Sequence, residues 1–303
     1  MTRKLLLLIA PVLLALQTGC SVRKMAVDLM ADALAASGQT FASDDDPELI
    51  EAASPFSLKL MESLLQETPT NKDLLLATAR GFTQYSYGFV VQEADRIEGE
   101  DFQAADTARS RARRLYLRAR DYGLRGLDVA HKDFSRILRQ DPRAAVRRAH
   151  RRDVPLLYWT AVAWAGAISL ATDDPHLVGD LPIVHALVQR ALELDETFGD
   201  GALHALLITI TMGRPDAGPD ASDIAEHHFR RALELSDGLH AAPLVAMAEA
   251  VAVPFQDKAR FEHLLEQALG IDPDARPQWR LANLIYQRRA RWLLGRTEEL
   301  FLD

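Results

Sequence analysis

Of the side chains able to do chemistry, the only thiol is Cys20, and it stands where an apolar run ends: Leu5 to Leu16, then Gln17, Thr18, Gly19 and Cys20. Cysteine is often a buried core residue, but a thiol placed there is open to alkylation, for which no other side chain substitutes. The remaining candidates lack catalytic spacing. His227 and His228 are adjacent, so on one helix their rings point about 100° apart and cannot converge on a metal from that helix. Asp44, Asp45 and Asp46 lack the spaced oxygens and turn glycine of a calcium loop, and their place before Pro47 reads as a helix cap. Arg111, Arg114, Arg118 and Arg125 share one helix face and could capture an acidic group. The acidic stretch from Glu93 to Asp101 just before them points instead to ion pairs within the chain or a solvated face. No H-E-x-x-H, G-x-S-x-G or G-x-x-x-x-G-K-[ST] run occurs, so the usual metalloprotease, hydrolase and nucleotide-binding signatures are missing. No catalytic residue, metal or cofactor is assigned.

The segment that positions Cys20 is a secretion signal: Arg3 and Lys4 precede an apolar run too short to span a bilayer and interrupted by Pro11. Its close resembles a lipobox, with Gln17 where an aliphatic residue is more usual. Residues 1–19 are then removed, Cys20 is lipidated, and residues 20–25 form a tether to a helical domain over 26–303. Ser21 after the cysteine points to the periplasmic side of the outer membrane in a diderm host. Loss of the signal leaves 284 residues, and the formal charge moves from −8 to −10 as Arg3 and Lys4 go. An acidic chain is a poor partner for nucleic acid, and a lipidated cysteine leaves no disulfide or thiolate site.

The body reads as all-α. Ala, Leu, Arg, Glu and Gln dominate and β-branched alternation is nearly absent. Helix starts are expected at Asp46–Pro47, Ser54–Pro55 and Asp153 before Pro155. After Ser54 two apolar sets keep helical spacing, Phe56/Leu60/Leu64 and Leu58/Met61/Leu65, and a further helix is expected from Lys72 to Gln92. In the second half Ala191-Leu-Glu-Leu-Asp, Ala232-Leu-Glu-Leu-Ser and Ala268-Leu-Gly-Ile-Asp recur. Helices closing on such a run are the signature of degenerate tetratricopeptide-like hairpins stacked as one superhelical domain.

Two aromatic clusters sit on these helices. Phe82, Gln84, Tyr85, Tyr87 and Phe89 could line a ligand cleft or be core, as could Tyr158, Trp159 and Trp164, where small residues let helices approach closely. Trp159 and Trp164 cannot share one helix face.

Together with the lipobox, the blocks Phe41 to Leu49, Gly81 to Tyr85, Arg113 to Tyr122, Asp153 to Trp159 and Trp279 to Asn283 resemble the TatT family, tetratricopeptide-like lipoproteins associated with TRAP (tripartite ATP-independent periplasmic) transporters. The resemblance covers essentially the whole mature chain. It implies a homotrimer in which each subunit is pierced by a mainly apolar pore or cleft, docks the TRAP solute-binding subunit and takes a small apolar or amphipathic ligand. Two other readings stand beside it: a lipidated scaffold for outer-membrane or envelope assembly, and a periplasmic hydrolase with perturbed titratable groups in a cleft.

Overall fold

The computed structural model describes residues 27 to 302, apart from 28, 37 and 215 to 217. Cys20, the signal segment and the tether lie outside them. No strand occurs among the described residues. The principal helices are α1 (Pro47–Glu67), α2 (Lys72–Tyr85), α3 (Phe102–Ala130), α4 (Phe134–Gln140), α5 (Val154–Ser169), α6 (Leu181–Leu194), α7 (Ala202–Met212), α8 (Ala221–Leu235), α9 (Ala242–Met247), α10 (Lys258–Gly270) and α11 (Arg280–Leu294).

Side-chain caps start several of them. Asp46, Asn71 and Asp101 each accept the backbone N–H three residues on at 2.9 Å, and Asp44 in turn accepts the Asp46 N–H. A cap of this kind is worth ~1 kcal/mol. One expected start is corrected, and another holds in place without its side-chain cap. Ser54–Pro55 begins nothing: α1 runs through it, with Ser54 Oγ donating to the Ile50 carbonyl at 2.6 Å. Pro55 removes one helical N–H, but Glu51 and Pro55 are both exposed, so the freed carbonyl meets water. With this register Leu58, Met61, Leu64 and Leu65 are buried and Phe56 is left 75% exposed. Asp153 does precede α5, yet its carboxylate turns back, accepting the His150 N–H at 3.0 Å and meeting His131 Nε2 at 2.8 Å.

The expected Lys72–Gln92 helix is also modified. α2 passes at Ser86 into a π-helical turn, Ser86–Val91, before α-helix resumes over Gln92–Ile97. A second π turn, Ala248–Ala252, follows α9. Each wider turn shifts the residues after it around the axis relative to an ideal α-helix, a local irregularity often found at functional sites.

In the first half α3 is the hub, packed against α2 and α5. Glycines set that spacing. A Cβ at Gly126 would lie 2.6 Å from Leu156, one at Gly123 would overlap Thr160 Oγ1, and one at Gly166 would lie 2.7 Å from the Tyr116 ring. In the second half α7 packs on α8, α9 on both and on α10, and α10 on α11. The alanine of each recurring run, Ala191, Ala232 and Ala268, is fully buried. At Ala232 the backbone is met by Gly201, whose φ of 98° and missing Cβ permit the contact.

The last helix then comes back to the first third of the chain. Arg280 Nη1 donates to the Ser43 carbonyl at 2.9 Å, Arg288 Nη2 to the Gly88 carbonyl at 2.6 Å, and Arg289 pairs with Asp95 at 2.7 Å. The C-terminal helix is thereby fastened to the first third of the chain.

Candidate functional site

Where α11 meets the two π turns, α3 and α5, polar and aromatic side chains gather inside the molecule. The first π turn supplies Tyr87, the second Glu249, and α11 supplies Tyr286 and Arg289. Tyr87 and Tyr286 lie ring to ring at 5.4 Å. His240 reaches Tyr286 at 6.2 Å and sits edge-on to Trp279 at 5.4 Å. On the other side, Tyr158 stands 5.3 Å from Phe198 and 5.0 Å from Trp159. Tyr116 is buried and senses Tyr286 electrostatically, as Tyr158 does.

Tyr87, Tyr158, Tyr286, His240 and Glu249 each keep some surface accessible to water. Burial is nevertheless the first cause of every shift in their proton affinities. It pushes the Tyr286 phenol to about 12 and raises Tyr87 and Tyr158, and it lowers His240 to about 4. Half-buried and yet strongly desolvated, these side chains border a sheltered recess between the packed helices. Burial also raises the Glu249 carboxyl, against the lowering pull of Arg289.

Arg289 is the charged centre of the recess wall. Its Nε and Nη2 donate to Glu249 Oε1 at 3.0 and 2.7 Å, and Nη1 donates to Asp95 Oδ2 at 2.7 Å. Asp95 is shared with Arg109, which also pairs with Glu98 at 2.7 Å. Burial would lower the Arg289 pKa, but Glu249, Tyr87 and Asp95 hold it above the ordinary arginine value. The result is an aromatic cluster with a few fixed polar groups at its centre.

Of the eight residues singled out from sequence, Tyr87 and Tyr158 line the recess and half-buried Trp159 stands against Tyr158. Phe82, Tyr85, Phe89 and Trp164 are core. Phe82 stacks on Tyr122, Tyr85 accepts from Arg111 at 3.2 Å, and Trp164 Nε1 donates to Asp180 at 3.2 Å. Gln84 faces solvent. Tyr116, His240, Glu249, Tyr286 and Arg289 were missed because nothing local marks them. The acidic stretch before α3 is engaged by Arg109, Arg289 and Arg96 rather than by the four-arginine face, from which Arg118 pairs with Glu62 at 3.5 Å.

Two histidine groups lie elsewhere. His228 reaches another helix, its Nδ1 meeting His204 Nδ1 at 2.9 Å. Glu196, 3.3 Å from His204 Nε2, favours the proton on that nitrogen, leaving Nδ1 to accept from His228. His131, His150 and Asp153 bring three donors within 4.8 Å. Lys72 Nζ stands 3.9 Å from Asp153 Oδ1, and Arg151 and Arg152 flank the group in sequence, which opposes a dication. The cluster serves as a clamp at the start of α5.

Residues 43–301 match the family model described as TRAP transporter T-component. A protein of Treponema pallidum (strain Nichols), itself described only as uncharacterized, is 28% identical over 306 residues, covering 94% of each chain.

Proposed function

From the premise that the chain belongs to the TRAP transporter T-component family, a family of transport components and not of enzymes, we propose that it is a periplasm-facing lipoprotein. It is anchored through Cys20 at the outer membrane, docks the TRAP solute-binding subunit and holds a small apolar or amphipathic ligand in the interior recess. The observation that carries the ligand reading is the cluster of half-buried tyrosines around the Arg289–Glu249 pair where α11 meets the two π turns. Apolar walls supply affinity and the few polar groups fix orientation. A homotrimer, as the family resemblance implies, is part of the same proposal.

The test has two arms. The mature chain carrying Cys20→Ser is passed over immobilised solute-binding subunit of its own TRAP system, and organic extracts of the purified protein are analysed by mass spectrometry. Retention of the subunit and recovery of a small apolar compound, lost in Tyr286→Trp, support the proposal. Retention of outer-membrane precursors with no affinity for the solute-binding subunit overturns it.

A further inference from the structure

The chain is acidic overall, but one stretch reverses the sign. Between Lys132 and Arg152 stand eight Lys and Arg against two Asp, a local charge of +6 in a chain of net −8, which leaves −14 for the remainder. The stretch is built as a firm surface. Phe134, Leu138, Ala145 and Val146 are buried in the core, so α4 and the short helix Pro142–Val146 turn their cations outward. Arg148 Nη1 ties the loop together by donating to the Lys132 carbonyl at 2.8 Å. Lys132, Arg143, Arg147 and Arg152 are exposed and make no ion pair among the described residues. Such a face is normally neutralised by neighbouring acids, as Arg109 and Arg231 are here.

The same end of the molecule receives the N-terminal segment. Asn71, the cap of α2, donates to Asp32 Oδ1 at 3.0 Å, and about two turns further along α2 the Arg80 side chain covers Gly38. The N-terminal helical residues therefore run alongside α2 in its own direction, and Val27 lies on the Asn71 side. Lys72 reaches Asp153, and Arg125 Nη2 donates to the Pro69 carbonyl at 3.3 Å, so this side adjoins the basic stretch. Leu29 and Met30 are 63% and 53% exposed there. Cys20 is seven residues before Val27, a span of at most about 25 Å.

We propose that the face formed by residues 132–152 seats on the anionic headgroups of a lipid bilayer and sets the orientation of the helical body on the membrane. A protein partner would ask for aromatic or large apolar anchors at the patch centre, and the exposed large hydrophobic residues include none within the stretch. Dispersed cations are what an anionic lipid surface attracts. The placement beside the tether rests on the lipid-anchor reading above; the charge of the face does not.

The test uses the mature chain carrying Cys20→Ser, so that no acyl chain contributes, sedimented with phosphatidylcholine vesicles with or without about one third phosphatidylglycerol. Binding at least tenfold stronger to the anionic vesicles, abolished by 0.5 M NaCl, is expected. The variant Lys132→Glu/Arg143→Glu/Arg147→Glu/Arg152→Glu loses it, whereas replacing the three arginines by lysine keeps it and guards against a folding artefact. Equal binding to neutral vesicles, no binding to anionic ones, or a four-glutamate variant that binds like the parent overturns the inference. So does a variant that keeps its vesicle binding but loses the solute-binding subunit. The mass of the Cys20 peptide from membranes of the native host reports lipidation separately, so an unlipidated chain that still binds anionic vesicles refutes the anchor and leaves this surface standing.

Discussion

At the scale of single residues, two histidines are folded in a state they would not choose in water. His228 and His240 both lie near 4, chiefly through burial, against an ordinary value of 6.5. A proton therefore binds the unfolded chain more readily than the folded one between those values. Their stabilising contribution is complete above pH 6.5 and is lost as pH falls towards 4, at about 1.4 kcal/mol per pH unit for each. The melting temperature is expected to fall over that window, and His240→Gln to reduce the slope by about one group; a profile flat from pH 7 to 5 contradicts the assignment. Glu249 and Arg289 differ in the opposite way from what a symmetrical pair suggests. Glu249→Gln leaves Arg289 bonded to Asp95 and an amide acceptor at hand, so a loss of ~1 kcal/mol is expected. Chemical denaturation measures it, and a loss as large as that of removing Arg289 would show that Asp95 does not hold the guanidinium.

At the scale of elements, the α3–α5 contact depends on missing side chains. Gly126 faces Leu156 across the closest approach, where a branched residue has no room and both helices must separate. Gly126→Val is expected to cost about 1–3 kcal/mol, lowering the melting temperature by several degrees, while Gly99→Ala, which meets nothing within 4 Å, stays within about 0.5 kcal/mol of the parent. Similar melting points for the two would refute the close approach. On α5 the small residues from Ala161 to Ala167 were readable as packing aids, as was the all-helical class from composition, whereas Gly123 and Gly126 of α3 were not. The π turns were not. Ser86-Tyr-Gly-Phe-Val-Val keeps an apolar pattern compatible with an α-helix, so Tyr87 was picked out as an aromatic without any sign of the turn that aims it inward. Ser54–Pro55 carries a start signal that packing overrides: Ile50 is buried one turn earlier on the same helix, and Ser54 Oγ bonds back to its carbonyl.

At the scale of the whole molecule, the recess exists because the end of the chain is brought against its first third. Tyr286, Arg288 and Arg289 reach Tyr87, Gly88 and Asp95 across some two hundred positions of sequence, a separation no periodicity can report. That is why two recess residues were legible as aromatics and the rest were not. The recurring Ala-Leu run marked three helices with a buried alanine but gave no sign of this closure. Arg289 is the fastening: among the described residues it alone bonds both the segment after the first π turn and the second π turn. Arg289→Met removes the cation and leaves Asp95 and the half-buried Glu249 without it, a change expected to cost about 3 kcal/mol. If α11 closes the molecule in this way, hydrogen exchange in Arg289→Met rises together over residues 86–97, 248–252 and 280–294 and stays unchanged in α6 and α7. A rise confined to α11 would mean that the π turns hold their shape without it, and that the recess is set by the hairpins alone.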